Sequence, residues 1–202
     1  MIRRIHINNL VLKLYSQLPQ IKFPIQLDEI LSLIPNCKCM SYQKFAQINN
    51  CSVNDVIAIC QSKSGCTHYD IETNRYLILI NLAETSNYGR RRWTIAHEIG
   101  HVQCGHHLVS ALDKIAENGF MQIHNQDFEI EADCFTATLL APFPLFKTLN
   151  VKTVQDIQRV FGLSLEAATI RLKEYRIWLK NHRKTAWEND IVNVYLHKSY
   201  TL

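Results

Sequence analysis

The amino-acid sequence predicts an α+β fold that is mostly helical and carries one small β-hairpin next to a central helix. Apolar residues recur at helical spacing over most of the 202 residues, whereas only the runs THYDI and RYLILI have the composition of strands. With 47% hydrophobic residues, the chain can bury a sizeable core. No apolar run approaches the roughly 20 residues of a membrane helix, so no membrane partner is expected.

Short helices are predicted before the hairpin and a longer one after it. The first 64 residues contain the helical patterns NNLVLKLYSQL, LDEILSLI before Pro35, SYQKFAQI, and SVNDVIAIC with Ser52 as N-cap. The two strand-like runs then flank the turn-prone ETN. A central helix is expected from about Arg91 to Cys104, ending at Gly105, and a looser stretch follows to about Asn125.

The second half of the chain is predicted to be helical almost to its end. The helical patterns are QDFEIEADCFTATLL closed by Pro142, VKTVQDIQRVFG, and SLEAATIRLKEYRIWLK with Ser164 as N-cap. The last segment, DIVNVYLHKSY, alternates enough to be a strand or an ordered tail. These patterns predict a helical N-terminal segment (1–65), a core (66–145) and a C-terminal helical subdomain packed on that core (146–202).

Cysteine content and charge limit the location and the partners. The seven cysteines are an odd number and lie scattered along the chain, which favours reduced thiols over a disulfide framework. The amphipathic N-terminal stretch has no small-residue cleavage site, so a cytoplasmic location is expected. A net charge of +4 is too small to indicate nucleic-acid binding by itself.

The chemistry is concentrated in the segment HEIGH on the predicted central helix. His97 and His101 are four residues apart, so both imidazoles project from one helix face about one turn apart and can reach a single ion. In zinc hydrolases with the H-E-x-x-H spacing, the glutamate is the general base that activates water. Here that residue is Glu98, which we interpret as the catalytic residue of a metal site.

A hydrolytic zinc site needs a third protein ligand, and the sequence offers three candidates. Glu129 is favoured, because Asp133 stands four residues later on the same helix face and can hold the other ring nitrogen of a ligating histidine. Glu131 lies two residues after Glu129 on the same helix and points elsewhere. His107 follows His97 by ten residues, as in H-E-x-x-H-x-x-G-x-x-H sites, but the chain has Cys104 where that pattern has glycine.

These motifs together resemble the ImmA/IrrE family of metallopeptidases. The resemblance consists of the strand YLILIN, the basic loop YGRRRWTIA, HEIGH, the helix EIEADCFTATLLAP and the later VFGLSLEAATIRL, over about residues 75–173. It implies a zincin-like domain and a gluzincin-type zinc endopeptidase. By position, His97, His101 and Glu129 would hold zinc and Glu98 would be the base.

The resemblance also implies a partner, because known relatives cleave transcriptional repressors, often beside mobile elements or in stress responses. The expected partner is therefore a protein substrate, most simply a repressor. The strand RYLILI is expected to pair with an extended substrate segment, as edge strands do in peptide-binding sheets.

Two other functions are compatible with the sequence. The segment VQDIQRVFGLSLEAATIRLKEY also has the pattern of a helix-turn-helix, in which Arg171 and Lys173 would meet phosphate. Packing of this helix pair on the core is favoured instead, with nucleic acid not expected as a partner. The residues expected to be buried are Val160, Phe161, Leu165, Ile170 and Leu172. The second alternative is a pseudo-enzyme that keeps the metal and acts by binding a protein.

Overall fold

The computed structural model describes residues 2–108, 126–181 and 184–199, which form an α+β fold of ten helices and one small sheet. In chain order the elements are α1 (Arg4–Gln17), α2 (Leu27–Ser32), β1 (Cys37–Ser41), α3 (Tyr42–Ile48), α4 (Val53–Cys60), β2 (Gly65–Asp70), β3 (Arg75–Ile80), α5 (Tyr88–Gln103), α6 (Gln126–Leu140), α7 (Pro144–Thr148), α8 (Val154–Phe161), α9 (Leu165–Asn181) and α10 (Ala186–Ser199). The predicted fold class is confirmed. None of these helices has the length and apolar character needed to cross a membrane.

Side-chain caps fix the starts of α4 and α8. Ser52 accepts a hydrogen bond from the Asp55 backbone N–H, and the Asp55 carboxylate accepts one from the Ser52 N–H, so α4 begins with a reciprocal capping box at the predicted N-cap. Thr153 and Asp156 start α8 in the same way. The predicted loose stretch after the central helix lies, from residue 109 onwards, outside the described residues.

The sheet has three strands in the order β1-β3-β2. β2 and β3 form the predicted antiparallel hairpin, and β1 pairs with β3 in parallel. Strand β1 was not predicted, because its five residues CKCMS carry too weak a pattern and its partner is distant in the chain. Because β3 (RYLILI) has a neighbour on both sides, the prediction that it is an edge strand for substrate is wrong.

The two long helices α5 and α6 pack face to face and carry most of the motif residues. Gly100 allows this close approach, since a Cβ atom there would lie 3.1 Å from the Cα atom of Ala132. Ala96 and Ile99 on α5 and Phe135 on α6 are fully buried around this contact. After the C-cap Cys104, Gly105 adopts a positive φ of 73°, so the helix ends where predicted.

The C-terminal segment is a helix, which corrects the prediction of a strand or an ordered tail. In α10, the Trp187 indole N–H donates to the Asn8 carbonyl at 2.7 Å, and Ile191 is fully buried. Ile191 and Tyr195 are one turn apart and both pack into the main core. The short alternation of apolar and polar residues in this segment suggested a strand. The segment is helical because a helix places both apolar side chains in the core that α1 also lines.

The main core runs through all three predicted domains. Its buried residues include Ile7 from the N-terminal segment, Ile99 from the central range and Phe146 from the C-terminal range. The boundaries at 65 and 145 stay a prediction.

The helix pair α8 and α9 packs on this core with part of the predicted apolar set. Phe161 and Leu172 are buried and Val160 is partly buried, but Leu165 is 63% exposed and Ile170 is 53% exposed. The prediction of burial is therefore wrong for these last two residues, which lie on the outer side of α9.

Candidate metal centre

Helix α5 brings the two histidines of HEIGH together. The Nε2 atoms of His97 and His101 lie 3.0 Å apart, and their ring centroids are 4.8 Å apart. Both side chains are largely buried, with 19% and 13% exposure. This is the arrangement that a spacing of four on a helix predicts.

Helix α6 adds one carboxylate to the two imidazoles, and it comes from Glu129. Its Oε2 atom lies 3.2 Å from Nε2 of His97, and its Oε1 atom lies 3.5 Å from Nε2 of His101. Glu131 turns to the opposite side of α6, where it contacts Arg3 and His106. The ring centroid of His107 is 5.9 Å from that of His101, and His107 is not in the ligand group of His97, His101 and Glu129.

Asp133 lies one helical turn after Glu129 and contacts the other nitrogen of His97. The distance from its Oδ1 atom to Nδ1 of His97 is 3.0 Å. When the Asp133 carboxylate accepts the proton of Nδ1, Nε2 of the neutral ring keeps its lone pair and faces His101 and Glu129.

The three side chains fit a zinc ion by their spacing. Ligands at 2.0–2.1 Å from a tetrahedral zinc lie about 3.3 Å from one another. The two Nε2 atoms are 3.0 Å apart, and the Glu129 carboxylate lies at a similar spacing from both, with Oε2 3.2 Å from Nε2 of His97 and Oε1 3.5 Å from Nε2 of His101. Two imidazoles and one carboxylate are also the donor set of many catalytic zinc sites.

The electrostatics of this pocket favour a positive charge. Burial lowers the pKa of His97, but the hydrogen bonds of its ring with Asp133 and Glu129 outweigh burial and raise the pKa to about 10. Burial and the neighbouring charge of His97 lower the pKa of His101 to about 3. The Asp133 and Glu129 carboxylates thus stabilise a positive charge at His97, beside the position that a cation would take.

Glu98 lies beside the ligand group and is held by the sheet. Glu98 is 8% exposed, and its Oε2 atom accepts a hydrogen bond of 2.7 Å from the Thr67 hydroxyl on β2. Burial raises the pKa of Glu98, and the hydrogen bond from Thr67 partly offsets that rise. A buried carboxylate with a raised pKa is suited to accept and return a proton.

Three residues at this centre were not assigned a role at the site from sequence, namely Thr67 next to Glu98, and Arg3 and His106 behind His101. Glu131, which was a candidate for the third ligand, contacts Arg3 and His106 instead. His106 is 2% exposed, and its ring stacks on Phe128. No spacing rule finds these residues, because each contact joins segments that only the fold brings together.

Comparison with protein families identifies a domain family that this chain matches. The model of the IrrE N-terminal-like domain, a domain of the M78 peptidases, matches residues 56–173. This range is more than half of the chain and contains HEIGH, Glu129, Asp133 and Thr67, but not Arg3. Comparison with curated proteins gives no match.

Proposed function

The chain belongs to the M78 peptidase family, and on that premise we propose that it is a zinc-dependent endopeptidase that hydrolyses a peptide bond in a protein substrate. His97, His101 and Glu129 are the proposed zinc ligands and Glu98 is the proposed general base. The observation that carries the proposal is the convergence of two imidazoles and the Glu129 carboxylate within 3.5 Å of one another beside a buried glutamate.

Each residue of the proposed centre has a separate role in peptide hydrolysis. A zinc ion in this group supplies a Lewis acid for the scissile carbonyl and lowers the pKa of a water ligand towards about 7. Asp133 keeps His97 oriented through Nδ1. Thr67 fixes Oε2 of Glu98, so we assign Oε1 as the atom that takes the water proton and returns it to the leaving amine.

The surroundings of the centre support a polypeptide substrate. A groove of about 1290 Å³ borders the centre at Asp133, with Trp93, Phe143 and Trp178 among its lining residues. For the identity of the protein cleaved, we propose a transcriptional repressor, the class named by the resemblance to ImmA/IrrE peptidases.

Strand β2 is the proposed pairing edge for this substrate. It is an edge strand among the described residues and carries Thr67, which touches Glu98. In a peptide that the enzyme cleaves, identified by mass spectrometry of a digested peptide library, proline within two residues of the scissile bond is expected to lower kcat/KM at least about tenfold, because it removes a donor to the strand. Alanine at the same positions is the control. Equal cleavage of the proline and alanine peptides would exclude pairing with β2.

The DNA-binding alternative is disfavoured by Arg171. Its guanidinium donates two hydrogen bonds to the Ala141 carbonyl, at 3.0 and 2.9 Å, and lies 3.5 Å over the Phe143 ring. A side chain held inside the helix packing in this way cannot reach a phosphate. The pseudo-enzyme alternative is disfavoured by Glu98, which is present and oriented.

The experiment that tests the proposal measures the metal content of the purified protein. About one zinc per chain is expected for the unaltered protein, and its loss is expected for His97→Ala, which removes a ligand. His6→Ala, an exposed histidine on α1, is the matched control and should keep the metal. The absence of zinc from the unaltered protein after zinc addition, or full zinc content in His97→Ala, would contradict the proposal.

A further inference from the structure

A buried row of polar side chains continues behind His101, away from the ligand group. Nδ1 of His101 lies 3.0 Å from Nδ1 of His106, and Nε2 of His106 lies 3.2 Å from Oε2 of Glu131. The His106 and Glu131 side chains are 2% and 3% exposed. The ring of His106 is stacked on Phe128, with a centroid distance of 4.4 Å and an interplanar angle of 8°. Its orientation is therefore fixed by packing as well as by hydrogen bonds.

The far end of the row is closed by Arg3. The backbone N–H of Arg3 donates to Oε1 of Glu131 at 2.8 Å, and its Nε donates to both carboxylate oxygens at 3.0 Å. Nη2 donates to Oε2 of Glu131 and to the Cys104 carbonyl, the latter at 3.1 Å. Both oxygens of the buried Glu131 carboxylate thus accept charge-assisted hydrogen bonds from Arg3.

The donors and acceptors of the row can be assigned from Arg3 inwards. Arg3 only donates, so the Glu131 carboxylate accepts throughout and its partner, Nε2 of His106, must donate. Because the Arg3 guanidinium already balances the charge of Glu131, we assign His106 as the neutral ring, which accepts at Nδ1. Nδ1 of His101 must therefore carry the proton, which leaves the lone pair on Nε2, the nitrogen that faces His97 and Glu129.

We propose that Arg3, Glu131 and His106 are positioning residues that fix the ring orientation and tautomer of His101 for metal binding. His101 thereby receives from this row the support that His97 receives from Asp133. The inference rests on the proposed metal centre and adds a role for the N-terminal segment. Arg3 lies outside the matched range 56–173 and is 128 residues from Glu131.

A second metal ion is the competing explanation for the same side chains. Ligand-type atoms of Cys104, His106 and Glu131 all lie within 4.8 Å of one another. Both oxygens of Glu131, however, already accept hydrogen bonds from the Arg3 guanidinium, so a cation there would have to displace a bound positive group. The row therefore fits a support of His101 better than a second site.

The test is the zinc affinity of folded variants of the full chain, measured by competition with a chromophoric chelator. Glu131→Gln and His106→Phe are expected to bind zinc about 10- to 100-fold more weakly than the unaltered protein, the usual effect of losing such a supporting partner. Phe at 106 preserves the aromatic stack and removes both nitrogens. Arg3→Lys is expected to retain more affinity than Arg3→Gln, because lysine keeps the charge without the paired geometry.

Two further readouts separate positioning from general destabilisation. The visible spectrum of the Co²⁺-substituted protein is expected to change in His106→Phe at unchanged far-ultraviolet circular dichroism. Glu29→Gln, an exposed acid on α2, should leave both affinity and spectrum unchanged. If Glu131→Gln does not fold, His106→Phe and Arg3→Gln provide the same comparison.

The possible outcomes distinguish this inference from the proposed function. Wild-type affinity in folded His106→Phe and Glu131→Gln would overturn the inference and leave the metal centre intact. Two zinc ions per chain, with one lost in His106→Phe, would overturn it in favour of a second site. A chain that binds no zinc at all would overturn the proposed function and this inference together.

Discussion

Replacement of Glu98 by glutamine is expected to lower kcat/KM for peptide hydrolysis by a factor of about 10²–10⁴, the usual contribution of a positioned general base. Glutamine keeps the size of the side chain and can still accept the Thr67 hydrogen bond through its carbonyl oxygen, but it cannot take a proton. The zinc content should stay at the wild-type level, since Glu98 is not in the ligand group. The rate of cleavage of a library-derived peptide and the metal content, measured on the same sample, check both statements.

The control for this variant is Glu29→Gln, which makes the same chemical change at an exposed position of α2 and should retain full activity. Cleavage by Glu98→Gln at the wild-type rate would show that another group moves the proton. Complete loss of zinc in Glu98→Gln would mean that the residue acts as a ligand, which contradicts the role of base.

Spacing rules were sufficient for the part of the centre that lies on single helices. His97 and His101 are four residues apart on α5, and Glu129 and Asp133 are four residues apart on α6. A period of 3.6 residues puts each pair on one face, so their neighbourhood follows from the chain without knowledge of the fold. That α5 and α6 face each other could be expected only from the resemblance, because a crossing of two helices is set by packing at residues such as Gly100.

The errors in the fold have a common physical cause. Strand β1 and helix α10 both depend on a partner far away in sequence, β3 for the one and α1 for the other. The local sequence of both segments has only a weak preference for helix or strand, so tertiary contacts decide their conformation. Strand β3 was predicted to be an edge strand because its second neighbour, β1, was not predicted.

The support of His101 could not be predicted for a related reason. The contact of Arg3 with Glu131 crosses 128 residues, and an arginine near the N-terminus has no pattern that distinguishes it from a solvated one. Glu129 and Glu131 could be separated from sequence, because residues two apart on a helix differ in direction by about 200° around the helix axis. Glu129 therefore faces the two imidazoles and Glu131 faces Arg3. Substitutions at the two positions should differ in their effect on zinc affinity.

Glu129→Ala is expected to weaken zinc binding at least about 100-fold, more than the loss of a residue that only supports a ligand. The carboxylate of Glu129 is the only acidic member of the ligand group that the described residues form, so its removal leaves two neutral nitrogen donors and less compensation for the charge of the ion. The rate of peptide hydrolysis should fall in proportion to the loss of bound zinc. Zinc affinity by chelator competition and the peptide cleavage rate at saturating zinc check these two effects.

His107→Ala tests the histidine candidate for the third ligand against Glu129. Its ring lies 5.9 Å from that of His101 and outside the ligand group, so its removal should leave zinc affinity within about threefold of the wild-type value, as expected for a change without a lost ligand. If His107→Ala strongly weakens zinc binding and Glu129→Ala changes it little, the third ligand is His107. The centre would then be a three-histidine site, and the acid at 129 would serve only to hold the ring of His97.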